Sequence, residues 1–208
     1  MSRVDEIRAN IAALETRIAA ACARAGRKRD EVTLVAVSKT FPASDVTLAI
    51  EAGMTDIGEN KVQEARDKKP DVARAARWHL IGHLQSNKAK DAVRTFDVIQ
   101  TVDSIALAEK LSGKDLLLQV NIGREPQKSG VDPSEVAALA QRIELKGLMA
   151  IPPLGEAEDM RPYFRELRAL RDACGLQELS MGMTDDFEVA IEEGATIIRV
   201  GRAIFGNR

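Results

Sequence analysis

Apolar residues return along this chain in short blocks, separated by polar turns and amphipathic stretches. The first stretch differs from the rest. Val4, Ile7, Ile11, Leu14, Ile18 and Cys22 recur at spacings of three and four, which places them on one face of a long N-terminal helix. Eight apolar runs follow, at 32–38, 54–58, 78–82, 98–102, 116–122, 147–151, 178–183 and 197–201. The second is weakly hydrophobic and is assigned because the alternation requires a strand there. Helical periodicity occupies the gaps near 43–52, 60–69, 85–95, 104–112, 133–142, 157–174 and 185–193. Gly53 and Gly194 follow two helix ends, where glycine readily takes the left-handed conformation. Asp132-Pro133 reads as an N-cap followed by proline in the first helical turn.

Nearly continuous apolar strands are buried on both faces, which calls for a parallel sheet covered by helices. Eight strand–helix units in 208 residues predict a single (β/α)8 TIM barrel over residues 1–208, an α/β fold with an extra N-terminal helix. The rival is an open doubly wound sheet, but eight strands rarely stay unsplit in one, and no GxGxxG follows the first strand. After the eighth strand only AIFGNR remains, too little for a closing helix. The N-terminal helix is expected to cover that gap.

Composition narrows the function. A hydrophobic fraction of 45% with 30% charged residues describes an ordinary globule. The net charge of −2 and the absence of any run of five like charges exclude an electrostatic footprint for nucleic acid or an anionic membrane. Cys22 and Cys174 lie in helical segments without CxxC spacing, which suits core packing better than a disulfide or a metal. The charged N-terminus has no apolar signal-like stretch, so a cytoplasmic protein is expected.

In barrels of this kind reactive groups sit at the carboxyl ends of the strands, with a phosphate often bound after strands seven and eight. Lys39 directly follows strand one. It either snorkels to solvent or lies in the mouth, where desolvation and the cations Arg199 and Arg202 would lower its pKa and free its amine to form a Schiff base with a carbonyl. Thr184 after strand seven, and Gly201 with Arg202 after strand eight, could hold a phosphate through a hydroxyl and backbone N–H groups. Thr184 could equally cap the helix that follows, and Gly201 could serve only as a tight strand exit. Arg199 lies within a strand, and a buried charge there needs a partner; it points either into the mouth or out to a helix carboxylate. Asn60 orients a ligand or caps a helix. His79 and His83 flank strand three with no third ligand in view, so no metal site is expected.

The ordered set VAVSKT, GENKVQEA, WHLIGHLQSNK, LLLQVNIG, KSG, GLMAIPP, LSMGMTDD and IIRVGRAIFG resembles the pyridoxal 5′-phosphate (PLP) homeostasis protein family, across roughly residues 32–206. The resemblance implies a fold-type III barrel like the N-terminal domain of alanine racemase, with PLP as cofactor. It implies that Lys39 carries PLP and that Arg199 faces the pyridine nitrogen. It also implies that Gly201 and Arg202 form the phosphate turn. Thr184 stands where the family motif has serine, which keeps the hydroxyl. Arg202 occupies a position often held by Thr or Ser, which leaves the backbone N–H as the expected contact. Asn60 falls in the matching GEN motif.

That family implies a PLP carrier acting in vitamin B6 and amino-acid homeostasis without robust catalysis, with apo PLP-dependent enzymes as possible recipients. A monomer is expected. The residues agree for a physical reason. An always-cationic arginine beside the ring nitrogen resists its protonation, so the ring becomes a weaker electron sink. The alternatives are a PLP-dependent racemase or decarboxylase and a PLP-independent Schiff-base aldolase. Tyr163, the only tyrosine, reads as a packing residue rather than a catalytic base.

Overall fold

The computed structural model describes residues 2–206. Strands β1 (Thr33–Val37), β2 (Asp56–Glu59), β3 (Arg77–Leu80), β4 (Val98–Val102), β5 (Asp115–Val120), β6 (Gly147–Ala150), β7 (Glu178–Ser180) and β8 (Ile197–Val200) pair in parallel and in chain order. The barrel closes where Val35 of β1 pairs with Arg199 of β8. This is the α/β barrel expected from the apolar runs, including the weakly hydrophobic second strand. Strand β7 stops at Ser180, short of the anticipated 183. Gly182 adopts φ +89° there, and a Cβ on it would lie 2.5 Å from the Ala190 side chain, so the chain turns early to pass against the next helix.

The helices α2 (Ala43–Glu51), α3 (Val62–Lys68), α4 (Ala89–Thr95), α5 (Ile105–Glu109), α6 (Val136–Ala140), α7 (Arg161–Ala173) and α8 (Phe187–Glu192) surround the sheet. Several open through a short 3₁₀ turn, which is why their α-helical parts are shorter than their periodicity suggests. Gly53 and Gly194 take φ of +104° and +100°, and Asp132 accepts a hydrogen bond from the Ser134 N–H, as the helix-end signals predict.

Helix α1 (Arg3–Arg24) buries Ile7, Ile11, Leu14, Ile18 and Cys22, while Val4 stays half-buried near its start. Each buried Ile or Leu on that face contributes about 1.5–3 kcal/mol. The helix packs on α2, α8 and a one-turn helix α9 (Arg202–Phe205). The expectation that the residues after β8 are too few for a helix is thus corrected. A single turn is unstable alone, but here tertiary contacts hold it. Arg3 Nη2 donates to Phe205 O at 2.9 Å, Asn10 Nδ2 donates to Ile204 O at 3.0 Å, and the Phe205 ring stacks on Phe41 at 5.1 Å. Helix α1 therefore covers the seam between α8 and α2 and also supplies the C-terminal cap of α9. No helix among the described residues is long and apolar enough to cross a membrane.

The inside of the barrel is layered. Val35, Val98, Leu117, Met149 and Ile197 pack together in one apolar cluster. Five of the strands, β3, β4, β5, β7 and β8, also carry a buried polar residue: His79, Gln100, Gln119, Ser180 and Arg199. Cys22 packs in the outer core and Cys174 against it, both as free thiols.

Candidate functional site

A cavity of about 610 Å³ opens at the carboxyl ends of the strands. Lys39, Asn60, Thr184, Arg199, Gly201 and Arg202 all line it, so the structure brings every residue singled out from the sequence to one mouth. Val37, Phe41, Ile81, Ile151 and Met183 give it apolar walls. An apolar cleft with a few convergent polar groups, three of them cationic, suits a small anionic ligand.

Local geometry explains each placement. β1 ends at Val37, and the chain turns through Ser38 and Lys39 with Thr40 at φ +70°. Asn60 follows β2 directly; α3 begins at Val62 with Lys61 at its N-cap, so Asn60 does not cap that helix. Its approach to β3 depends on Gly82, where a Cβ would lie only 2.2 Å from Asn60 O. Thr184 does not cap α8 either: Asp186 holds the N-cap position, and its Oδ1 accepts the Met183 N–H at 2.6 Å. That leaves the Thr184 hydroxyl for the cavity. Gly201 is the N-cap of α9, whose first N–H groups have no acceptor within the helix. The Arg202 guanidinium is exposed and ion-paired with Asp185, so its side chain offsets a carboxylate at that end of the cavity.

Arg199 is buried and turned inward. Its Nη1 donates to Ser180 Oγ at 2.6 Å and its Nη2 to Ala150 O at 2.9 Å. Burial pulls its pKa down to about 10, partly opposed by the charge of Asp186, so it remains a cation at neutral pH. Burial likewise pushes the Asp186 carboxyl up. The histidines lie elsewhere. His79 is fully buried in the barrel interior, and His83 is exposed with Nδ1 3.8 Å from Asp103. Tyr163 packs against the hydrophobic core, the packing role read from the sequence.

The model for the alanine racemase N-terminal domain matches residues 4–208. A protein of Pseudomonas aeruginosa named pyridoxal phosphate homeostasis protein is 42% identical, with 96% of this chain and 94% of that protein covered. A protein of the same name from Aquifex aeolicus is 41% identical, over 92% of this chain and 94% of its own length. This chain belongs to the pyridoxal phosphate homeostasis protein family. The PLP-bound structure of PipY from Synechococcus elongatus superposes with a TM-score of 0.82 at 38% identity, covering 96% of this chain and 100% of that one. The residues here fit the family's cofactor: an amine at Lys39, a donor at Arg199 and a hydroxyl with open N–H groups at Thr184, Gly201 and Arg202.

One cluster at this mouth was not singled out from the sequence. Beneath Lys39, Glu59 is fully buried; its Oε1 accepts from Ser38 Oγ at 2.7 Å and from Lys68 Nζ at 2.5 Å. Lys68 Nζ also donates to the Ser38 carbonyl at 2.9 Å and to Glu64 at 3.1 Å, and Glu64 in turn accepts the Thr40 N–H. These contacts clamp the residues on either side of Lys39. Burial pushes the Glu59 carboxyl up, with the Lys68 and Ser38 hydrogen bonds pulling the other way, and its Oε2 has no partner among the described residues. The sequence signal was faint, because Lys68 sits in the polar helix VQEARDK and reads as a solvated lysine.

Since Thr184 makes no cap, Thr184→Ala is expected to weaken PLP retention and leave the apo protein's melting temperature nearly unchanged. One hydrogen bond to a charged group is worth about 1.5–3 kcal/mol. Dissociation constants measured beside apo melting curves check this. Lower apo stability with unchanged PLP affinity would assign Thr184 a folding role.

Proposed function

We propose that this protein holds PLP through a covalent link to Lys39 and acts in PLP and amino-acid homeostasis as a carrier, without robust catalysis of its own. The observation that carries the reading is the single cavity lined by Lys39, Asn60, Thr184, Arg199, Gly201 and Arg202. Family membership supports the cofactor. PLP, when bound, supplies an aldehyde that reacts with an amine and a ring that withdraws electrons.

The chain's own residues do the rest. Lys39 presents its amine at the end of β1, held by a turn braced on Glu59, Lys68 and Glu64. Thr184 and the N–H groups at Gly201 and Arg202 receive the phosphate, and Arg202 offsets Asp185 beside it. Arg199 meets the ring nitrogen as a donor and disfavours its protonation, which weakens carbanion chemistry. A base beyond Lys39 would be needed on the other face of the ring, and His79, His83 and Tyr163 do not line the cavity. The remaining titratable side chain there, Asp185, is paired with Arg202. The protein works as a monomer in this reading, with apo PLP-dependent enzymes as recipients.

Transfer tests the carrier role. The PLP-loaded protein, mixed with an apo PLP-dependent enzyme, is expected to restore that enzyme's activity as its own visible absorbance falls. Retention of PLP through many hours beside an avid apo-enzyme would contradict delivery.

A further inference from the structure

Arg199 is one end of a hydrogen-bond chain that crosses the interior of the barrel. Its Nη1 donates to Ser180 Oγ at 2.6 Å, and Ser180 Oγ donates to Gln100 Oε1 at 2.6 Å. Gln100 Nε2 lies 3.0 Å from His79 Nδ1, and His79 Nε2 lies 2.8 Å from Asp56 Oδ1. The chain takes one residue from each of β8, β7, β4, β3 and β2. Ser180, Gln100 and His79 are completely buried, and Arg199 and Asp56 nearly so.

The direction of every bond follows from donor chemistry. A guanidinium only donates, so Ser180 Oγ accepts from Arg199 and has its own proton for Gln100. That places the Gln100 oxygen toward Ser180 and its nitrogen toward His79. An amide nitrogen also only donates, so His79 Nδ1 is the bare acceptor and the ring proton sits on Nε2, aimed at the Asp56 carboxylate. A flipped Gln100 amide would deprive the Ser180 proton of its acceptor and require an imidazolium at His79. All four bonds therefore run the same way, from the cation at the mouth to a carboxylate at the far side. Bonds aligned head to tail in a dry interior polarise and strengthen one another. The Asp56 end is consistent with this. Burial would push its carboxyl up, but hydrogen bonds from His79 and Thr55, together with the electrostatic attraction of His79 and Arg77, hold it below the usual carboxylate range.

We propose that His79 and Gln100 are positioning residues for the cofactor site, acting through Ser180 to fix the plane and donor direction of the Arg199 guanidinium. Neither residue lines the cavity. This rests on the reading that Arg199 meets the ring nitrogen. A buried arginine with only the Ala150 carbonyl left to bond would be free to tilt, and the donor offered to the ring would move with it.

The first test needs no variant and no cofactor. Nitrogen-15 NMR of the histidine rings in the apo protein is expected to show His79 neutral, with its proton on Nε2. A proton on Nδ1, or a doubly protonated ring at neutral pH, overturns the chain. The second test uses Gln100→Leu and Gln100→Glu, read by the visible absorbance of bound PLP and its dissociation constant. Leucine breaks the chain, and affinity is expected to fall roughly tenfold with a shifted absorbance maximum. Glutamate can still accept from Ser180, and its second oxygen can accept a hydrogen bond from His79 Nδ1 once that nitrogen takes up a proton from solvent, so it is expected to restore the maximum while converting His79 to the imidazolium. Arg199→Gln separates two kinds of failure. An altered spectrum in Arg199→Gln beside an unaltered one in Gln100→Leu rejects the positioning role alone. Unaltered spectra in both reject the placement of Arg199 at the ring, and the positioning role with it.

Discussion

Lys39→Ala is expected to abolish covalent PLP and its visible absorbance, with no other lysine taking over. The competitors are accounted for in the structure. Lys61 is exposed at the N-cap of α3, and Lys88 lies in the turn before α4; neither lines the cavity. Lys68 is close in space, but its ammonium is committed to Glu59, Glu64 and the Ser38 carbonyl. Borohydride reduction followed by peptide mapping reads this directly. In the native protein the pyridoxyl label should fall on the peptide containing Lys39, and in the variant no peptide should carry it. A label of comparable yield elsewhere would refute the assignment.

Lys68→Met should be the most damaging single change outside the apolar core. Glu59 is then left as a buried carboxylate with Ser38 Oγ as its remaining partner, and breaking such a pair costs about 3–5 kcal/mol. Replacing both charges in Glu59→Gln/Lys68→Met should recover much of that loss. The pH dependence follows from Glu59. Burial already raises its folded-state pKa above the unfolded value, so folding is favoured by its proton, a contribution present at low pH and lost as pH rises through the folded pKa. Without the ammonium that pKa rises further. The Lys68→Met deficit should therefore narrow as the pH falls and widen toward neutrality. Chemical denaturation of the single and double variants at several pH values checks this. A deficit independent of pH, or a double variant no better than the single, would show that Glu59 and Lys68 are not energetically coupled. The same variants should loosen PLP retention, because the clamp holds the residues flanking Lys39.

The barrel was legible because each strand is an apolar block and each helix carries its own period, so even the weak β2 could be placed by alternation. Helix α9 was not legible: one turn has no periodicity, and its stability comes from Arg3, Asn10 and Phe41, far away in sequence. The mouth residues were legible because strand ends can be read along the chain and the fold brings all strand ends together. What lay below the mouth was not. A single polar residue within each of WHL, VIQ, LSM and IRV marks the inward-facing positions, but only the closed barrel shows that His79, Gln100, Ser180 and Arg199 meet. Lys68 and Glu59 were hidden for the opposite reason. Nine residues apart, each reads as an ordinary surface charge, and only the return of α3 over the end of β1 buries them together.

The carrier reading is tested most directly by proton exchange at the Cα of a bound amino acid, which registers carbanion formation even when no product appears. PLP-loaded protein would be incubated with Cα-deuterated L-amino acids and the washout of deuterium followed by NMR. In the proposed placement of Arg199 as a cation beside the ring nitrogen the ring is a weak electron sink, so even with Lys39 in the cavity washout should be negligible on the timescale of turnover. Washout at an ordinary enzymatic rate, on the order of 1 s⁻¹ or faster, would make this protein a catalyst and contradict the account.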